Sequence, residues 1–280
     1  MDISIGLPNT LDHPGPLLTE WARRAEERGF TSLATIDRIV YPSYDTMTSL
    51  SAAAGATSRI GLLSGVLLAP LYQPVWLAKA AASLDAISGG RLTLGLGIGG
   101  REDDFVAMGR SLRERGRDMD HALAVMRTVF EGGKLGDDAF PVARHGHPRL
   151  LIGGNSDAAV RRTISYGEGW IGGGGTPGQL APMLERIRRE WQAAGRDGEP
   201  RFAALAYFGL GDEEASKRSL RTYYGFAGDM ANMIAEGALR TPQAVREAAK
   251  AFEEIGLHEL IFDPSVPDIA EVDRLADAVF

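Results

Sequence analysis

The sequence predicts a single (β/α)8 barrel, and three observations support this prediction. Eight short apolar runs alternate with segments in which apolar residues recur at helical spacing. The chain has 280 residues, and a barrel of this kind takes about 250. No linker or shift in composition divides the chain, so we expect one barrel domain over residues 1–280.

The first half of the chain shows the alternation most clearly. Strands are predicted at residues 3–7, 31–36, 60–68 and 92–96, with helices from about 16 to 29, 46 to 56 and 74 to 89. Pro74 suits the first turn of its helix, and the Gly89-Gly90 pair ends it. A charged helical stretch over residues 102–130 is expected to break near Gly109.

The second half continues the pattern with shorter strands. Strands are predicted at residues 149–152, 169–171, 202–210 and 259–262, with helices at 157–166, 177–194, 213–237, 242–256 and after 268. Asn155 or Ser156 is expected to cap the helix that follows, because such side chains accept bonds from free amides. Asp268 and Glu271 resemble a capping box. The loop 131–148 has few apolar residues and is expected to be mobile.

An open, doubly wound sheet is the alternative architecture, since it shows the same alternation of strands and helices. Eight strand candidates and an undivided composition favour the barrel. Hydrophobic residues at 44% and charged residues at 24% exclude a largely disordered chain. The carboxyl ends of barrel strands meet at one mouth, so we expect the working site there.

Composition and charge narrow the partners of the protein. The net charge of −7 argues against nucleic acid, whose phosphates need a basic face. The chain has no cysteine, which excludes disulfides, thiolate metal sites and a cysteine nucleophile. No apolar run approaches the roughly 20 residues of a membrane span, and residues 1–7 carry no signal-peptide pattern. We therefore expect a cytoplasmic protein that binds neither nucleic acid nor membrane.

Known catalytic and metal-binding motifs are not found in the sequence. The serines occur in no GxSxG turn, and the five histidines show no HExxH spacing. His145 and His147 flank one glycine in a predicted loop, where solvated histidines are more common than a metal site. We predict no metal site, and the catalytic residues stay unassigned.

Three glycine-rich runs follow neighbouring predicted strands: GLGIGG at 95–100, GGNS at 153–156 and GGGG at 172–175. Glycine at the end of a strand lets a ligand approach the backbone. The second run also opens a helix, whose free N–H groups suit phosphate. Tight turns explain any one run equally well, but three neighbouring runs favour a phosphate-bearing cofactor.

Several segments resemble one enzyme family. The longest is SLDAISGGRLTLGLGIGGREDDF at 83–105, and others are ATSRI at 56–60, QPV at 73–75, PRLLIGG at 148–154, YGEGW at 166–170 and ELIFDP at 259–264. Together they are similar to the luciferase-like monooxygenase superfamily, flavin- and deazaflavin (F420)-dependent TIM-barrel enzymes related to bacterial luciferase. The match runs in chain order over nearly the whole sequence.

The resemblance implies which residues bind the cofactor. Asp37 corresponds to a position that often faces it, and Ser64-Gly65 to a strand bulge that in many relatives contains a non-proline cis peptide. Gly97, Ile98 and Gly99 correspond to the edge of the cofactor ring. The phosphate end corresponds to Gly153, Gly154, Asn155 and Ser156, with further backbone contact from Gly172 and Gly173.

The sequence also departs from the family pattern. Many relatives carry Asp-His where this chain has Asp37-Arg38, so a histidine base is lacking here. Arg38 either holds an anionic group or lies exposed on the surface. The aromatic segment 223–226 either lines the substrate pocket or belongs to the core. Arg101, Arg161 and Arg162 are candidates for an anionic cofactor tail, with a solvated helix face as the alternative.

Three functions follow from the resemblance. The first is a flavoprotein monooxygenase that uses reduced FMN, supplied by a separate flavin reductase, and oxygen on a small-molecule organic substrate. The second is an F420-dependent oxidoreductase that transfers hydride. The third, from another class, is a non-catalytic flavin-binding protein. Barrels of this family often pair, so the resemblance also suggests a homodimer.

Overall fold

The computed structural model describes residues 1–137 and 140–280, and its strands close into a parallel barrel. The strands are β1 (Asp2–Gly6), β2 (Ser32–Thr35), β3 (Gly61–Leu68), β4 (Leu92–Gly97), β5 (Arg149–Gly153), β6 (Gly169–Gly172), β7 (Arg201–Phe208) and β8 (Glu259–Pro264). Each strand pairs with the next in the chain, and β8 pairs with β1. The predicted (β/α)8 barrel is confirmed, and the doubly wound sheet is excluded.

Helices surround the barrel. They are α1 (Pro16–Glu27), α2 (Thr46–Ala56), α3 (Pro74–Ser88), α4 (Glu102–Ala107), α5 (Arg115–Phe130), α6 (Asp157–Tyr166), α7 (Pro177–Ala193), α8 (Glu213–Tyr223), α9 (Asp229–Gly237), α10 (Pro242–Glu254) and α11 (Ala270–Val279). The break predicted near Gly109 lies between α4 and α5. In the part of the chain that the structure describes, no helix is long and apolar enough to cross a lipid bilayer.

The interior of the barrel is layered. Six small or branched side chains form its middle layer: Ala34, Leu63, Leu151, Ile171, Ala203 and Ile261. Toward the amino ends of the strands, Glu259 accepts hydrogen bonds from Ser4 and Arg201 at 2.5 and 2.6 Å. Toward the carboxyl ends, four strands finish in glycine, namely β1, β4, β5 and β6. At these four positions the strands bring no side chain of their own to the mouth.

Two helix caps were predicted from local sequence patterns, and one of the two predictions is confirmed. Ser156 caps α6 as predicted, since its Oγ accepts a bond from the amide of Ala159 at 3.2 Å. The predicted capping box at α11 is wrong. Glu271 instead accepts a bond from the amide of Leu210 at 2.6 Å, because that amide lies beyond the end of β7 and the buried carboxylate satisfies it.

The loop predicted to be mobile, 131–148, connects α5 to β5, and residues 138 and 139 in it lie outside the described residues. Its end is anchored by the buried Asp85 of α3. One oxygen of Asp85 accepts a bond from the amide of His147 at 2.8 Å, and the other from the amide of Leu92 at 3.1 Å. A single carboxylate thus ties the loop to the start of β4.

Arg91 joins two loops at the amino end of the barrel. Its guanidinium donates five hydrogen bonds of 2.7–3.1 Å to the carbonyls of Ala54, Thr57, Ile60 and Ser88 and the hydroxyl of Thr57. These partners belong to the α2–β3 connection and the end of α3. Arg91 therefore has a structural role at the end of the barrel opposite the glycine runs.

Replacing Arg91 with alanine is expected to destabilise the protein. The change leaves several partly buried carbonyls without a donor, which costs about 2 kcal/mol or more of unfolding free energy. Urea unfolding followed by circular dichroism measures the loss. Arg59→Ala, at an exposed arginine in the same connection, is the control and should change the free energy by less than about 0.5 kcal/mol. Equal unfolding midpoints for the two variants would contradict this role.

Candidate active site at the barrel mouth

A cavity of about 300 Å³ opens at the carboxyl ends of the strands. Its lining comes from the ends of β2, β3, β4, β6 and β7 and from the segment after α8. The residues are Ile36, Asp37, Gly65, Val66, Leu68, Gly99, Gly100, Arg101, Gly173, Gly174, Leu205, Tyr207, Tyr223, Tyr224 and Phe226. The cavity thus combines bare backbone on one side with aromatic rings on the other.

Four of the twelve residues predicted to bind a cofactor line this cavity: Asp37, Gly65, Gly99 and Gly173. Gly99 has φ +71°, and a Cβ there would lie 3.1 Å from the ring of Phe105. Gly173 is different, because a Cβ at this position would meet no atom within 4 Å. The same holds for Gly100 and Gly174, so the backbone after β4 and β6 is open to a ligand.

Four other predicted residues have packing roles. The buried hydroxyl of Ser64 donates a hydrogen bond to the carbonyl of Gly95 at 2.9 Å. A Cβ on Gly97 would lie 2.6 Å from Val66, and one on Gly172 would lie 2.7 Å from the ring of Trp170. Ile98 packs against the outer core. Glycine at 97 and 172 is therefore required by the fold itself.

The remaining four form the turn between β5 and α6. Gly153 ends β5, and Gly154 has φ +106°, a backbone conformation that favours glycine. The carbonyl of Gly154 accepts a bond from the indole N–H of Trp170 at 2.8 Å. Asn155 is exposed, and Ser156 caps α6. This turn stands between the open ends of β4 and β6, although the cavity lining among the described residues does not include it.

The predicted bulge in β3 is present. The pairing of β3 with β4 shifts register between Ser64 and Leu67, and the peptide bond between Gly65 and Val66 is cis. Val66 lines the cavity, and the missing side chain of Gly97 leaves room for it. The bulge therefore contributes both a bare backbone position and an apolar side chain to the site.

Asp37 is the buried acid of the cavity. Its side chain accepts hydrogen bonds from the amide of Leu68 at 2.9 Å and from the hydroxyl of Tyr72 at 3.0 Å. Burial raises the pKa of Asp37 to about 6, against the two hydrogen bonds, which lower it. Burial and the nearby Asp37 also raise the pKa of the Tyr72 phenol. Asp37 can therefore hold or release a proton near neutral pH.

The aromatic segment after α8 lines the cavity, which favours the pocket interpretation over plain core. The hydroxyls of Tyr207 and Tyr224 lie 2.7 Å apart. Two arginines pack on the ring of Phe226 in this segment: the guanidinium of Arg38 lies 5.6 Å from its centre and that of Arg101 lies 4.1 Å from it. Arg38 is thus a buried residue of the site and not an exposed surface arginine.

The other two arginine candidates lie away from the cavity lining. Arg162 is buried and bonds Asp120 at 2.6 Å and the carbonyl of Gly116 at 2.9 Å. Arg161 is exposed on α6, which agrees with the solvated helix face for this residue alone. Only Arg101 of the three lines the cavity.

Two polar residues near the mouth were missed by the sequence reasoning. Tyr207 lines the cavity. It lies on the same face of β7 as Ala203 and Leu205, and this alternation along the strand was the available signal that its side chain faces the barrel interior. Asp263 is 2% exposed, and burial raises its pKa well above the ordinary value. Its Oδ1 lies where a Cβ of Gly6 would be, without a hydrogen-bond partner among the described residues. An acid within the apolar run LIFDP was the available signal.

Over residues 1–137 and 140–280, no three histidine, aspartate or glutamate side chains come close enough together to bind a metal ion. The polar groups of the cavity are instead carboxyl, phenol and guanidinium groups, with open backbone amides.

Comparison with known proteins agrees with the fold. A family model described as luciferase-like monooxygenase matches residues 9–265. An uncharacterized protein of Mycobacterium tuberculosis is 28% identical over 207 residues, with 62% of this chain and 71% of that protein covered.

Two solved structures share the fold. An F420-dependent secondary alcohol dehydrogenase in complex with an F420-acetone adduct has a TM-score of 0.80 at 22% identity, over 100% of this chain and 98% of that chain. The oxygenating constituent of a Pseudomonas putida diketocamphane monooxygenase, in complex with FMN, has a TM-score of 0.75 at 16% identity, over 99% and 96%. At these identities the similarity shows the fold alone.

The raised pKa of Asp37 predicts a specific pH dependence of stability. A group whose pKa rises from 3.8 to about 6 on folding stabilises the fold at low pH, and this contribution is lost as pH rises through 6. Asp37→Asn removes the titration. From pH 4.5 to 7.5, the free energy of unfolding of the variant should therefore rise by about 2 kcal/mol relative to the parent.

Urea unfolding at both pH values tests this, with Asp12→Asn as the matched control at an exposed aspartate. The control should track the parent at both pH values. The same difference between Asp37→Asn and the parent at pH 4.5 and 7.5 would show that Asp37 is an ordinary acid.

Proposed function

The chain belongs to the luciferase-like monooxygenase family, and on that basis we propose that its cavity binds a flavin-type redox cofactor for an oxidoreductase reaction. The specific proposal is a monooxygenase that uses reduced FMN and oxygen on a small organic substrate. A separate flavin reductase would supply the reduced FMN.

The open backbone at the ends of β4 and β6 carries this proposal. A side chain would fit without contact at Gly100, Gly173 and Gly174, yet none is present. A planar ring system can therefore lie directly on the strand ends, in contact with backbone amides. The turn between them leads into the amino end of α6, where free N–H groups suit a phosphate. The residues present thus fit a cofactor that is flat at one end and phosphorylated at the other.

Other residues of the cavity would exclude water and transfer a proton. When bound, reduced FMN supplies the electrons with which oxygen is activated. The aromatic wall of Tyr207, Tyr224 and Phe226 would exclude water from the bound ring and substrate. Asp37, held between an amide and the phenol of Tyr72, would take or give the proton at the cavity edge.

An F420-dependent hydride transfer is the alternative within the same site. One of the two similar structures reported above is in complex with an F420-acetone adduct. The long anionic tail of F420 would want several free basic groups near α6. Arg162 is already bonded to Asp120 and Gly116, which leaves the exposed Arg161 as the free arginine of α6 in the described part of the chain. One free arginine suits the single phosphate of FMN better than a long anionic tail. A non-catalytic flavin-binding protein is the alternative from another class.

Titration of the purified protein with FMN and with F420, each followed by quenching of the cofactor fluorescence, separates these functions. We expect saturable binding of FMN with a tighter dissociation constant than that of F420. Tighter binding of F420 would support the hydride-transfer alternative, and no binding of either would contradict the proposed function. Binding of FMN without oxygen consumption on any organic substrate would favour the non-catalytic protein.

Gly173→Asp tests the place of binding. A Cβ at this position meets no other atom within 4 Å. The aspartate would cover the open backbone, and its charge would repel an anionic cofactor. We therefore expect the affinity for FMN to fall at least tenfold, or about 1.4 kcal/mol. Gly173→Asn has nearly the same size without the charge and should lose less. Unfolding midpoints of both variants should match the parent. Unchanged FMN affinity in Gly173→Asp would remove the end of β6 from the site.

A further inference from the structure

Two arginine guanidiniums lie at the mouth of the cavity without the close carboxylate partners that buried arginines usually have. Arg101 has no ion pair among the described residues, and Arg38 has one at 3.7 Å. Arg101 lines the cavity directly after β4, and Arg38 follows Asp37 at the end of β2. Buried charges are normally paired, because an unpaired charge loses its hydration without compensation. An arginine that stays unpaired in a pocket is therefore available for an anion that comes from outside the chain.

Arg101 is held in place mainly by aromatic rings. Its guanidinium lies 4.1 Å from the ring centre of Phe226 and 4.9 Å from that of Tyr223. Within the described residues it makes no ion pair, and its Nε is buried without a partner. The hydroxyl of Tyr223 is a polar neighbour of this guanidinium. Stacking on rings positions a guanidinium but leaves its N–H donors free.

Arg38 has one hydrogen bond and one distant charge. Its Nη1 donates to the carbonyl of Tyr223 at 3.1 Å, and its Nη2 lies 3.7 Å from a carboxylate oxygen of Asp103. The Arg38 side chain is 9% exposed, while that of Asp103 is 48% exposed, so this pair is loose and largely screened. The Nε of Arg38 is buried and without a hydrogen-bond partner among the described residues.

The buried acids Asp37, Asp104 and Asp263 form no ion pair with the two arginines in the described part of the chain. Asp104 accepts bonds at Oδ1 from the amides of Ile39 and Val40 at 3.1 and 2.7 Å. Asp37 accepts from Leu68 and Tyr72, as described above. None of these acids lies within 4 Å of the two guanidiniums in the described part of the chain, and Asp103 is the one carboxylate that approaches Arg38. The arginine pair thus keeps unused donors.

We propose that Arg38 and Arg101 bind the carboxylate or phosphate group of an anionic substrate, whose apolar part lies against the rings of Tyr223 and Phe226. Both guanidiniums contact these same two rings, so the two cations converge on one place. The planar fork of arginine donates two parallel bonds to such an anion. This assignment rests on the proposed function, in which the cofactor phosphate lies at the other side of the mouth, near α6.

The test compares an acid with its neutral counterpart. Binding of 4-fluorobenzoate and of 4-fluorobenzamide to the cofactor-free protein is measured by fluorine NMR titration. Charge-assisted hydrogen bonds contribute enough that we expect benzoate to bind about tenfold more tightly than the amide. Arg101→Gln and Arg38→Gln should each remove most of this preference, while Arg189→Gln, at an exposed arginine of α7, should keep it.

Two further variants guard against misfolding. Arg101→Lys and Arg38→Lys keep the charge and lose the fork, so they should retain part of the preference for benzoate. Equal affinity of the parent for acid and amide would overturn the proposal. A preference that survives in both glutamine variants, with unfolding midpoints like that of the parent, would overturn it as well.

Two competition experiments identify the source of the anion. Inorganic phosphate that displaces benzoate from the parent but not from Arg101→Gln would extend the site to phosphorylated substrates, and its failure to displace would restrict the site to carboxylates. Saturating FMN or F420 should leave 4-fluorobenzoate bound to the parent. Displacement of 4-fluorobenzoate by the cofactor would assign Arg38 and Arg101 to the cofactor phosphate and overturn the substrate assignment. A preference for benzoate in a protein that binds neither cofactor would leave the anion site intact and contradict only the proposed function.

Discussion

Closure of eight parallel strands places every strand's carboxyl end at one mouth, and the residues that end those strands decide what the mouth can hold. The middle layer of the barrel is filled by six apolar side chains. Above it, β1, β4, β5 and β6 finish in glycine, and the backbone just after β4 and β6 is open. The same closed sheet thus gives a packed core below and an open surface above. The cavity, its aromatic wall and its buried charges are all arranged around that surface.

The glycines of the mouth do not share one role. Gly97 and Gly172 are required by neighbours, since Val66 and the ring of Trp170 occupy the space of a side chain. Gly100, Gly173 and Gly174 have open space instead. Only this second group argues for a ligand, because nothing in the fold forbids a larger residue there.

The fold was readable from the sequence because hydrophobic periodicity sets strands and helices locally, and all eight strands lie within two residues of their predicted bounds. The site was readable only in part. Asp37 and Gly173, predicted to bind a cofactor, line the cavity, whereas Ser64 turns its hydroxyl to the carbonyl of Gly95. Which way a side chain turns depends on its neighbours across the sheet, and the residues alone do not state that.

The charges of the mouth were the hardest part to predict. The burial of Arg38 depends on Tyr41, Tyr223 and Phe226, and two of these three rings lie some 185 positions or more along the chain. The raised pKa of Asp37 depends likewise on enclosure by distant elements. The wrong prediction of a capping box has the same origin, since the hydrogen bond from the amide of Leu210 to Glu271 depends on the packing of α11 beside the end of β7.

The central claim is that a flat, phosphorylated cofactor lies on the bare ends of β4 to β6. A crystal structure of the protein with whichever of FMN and F420 it binds more tightly tests this most directly. The account predicts the ring system against Gly65, Gly99 and Gly173, with the phosphate at the turn before α6. A cofactor bound elsewhere on the molecule, or strand ends covered by the protein's own side chains, would contradict it.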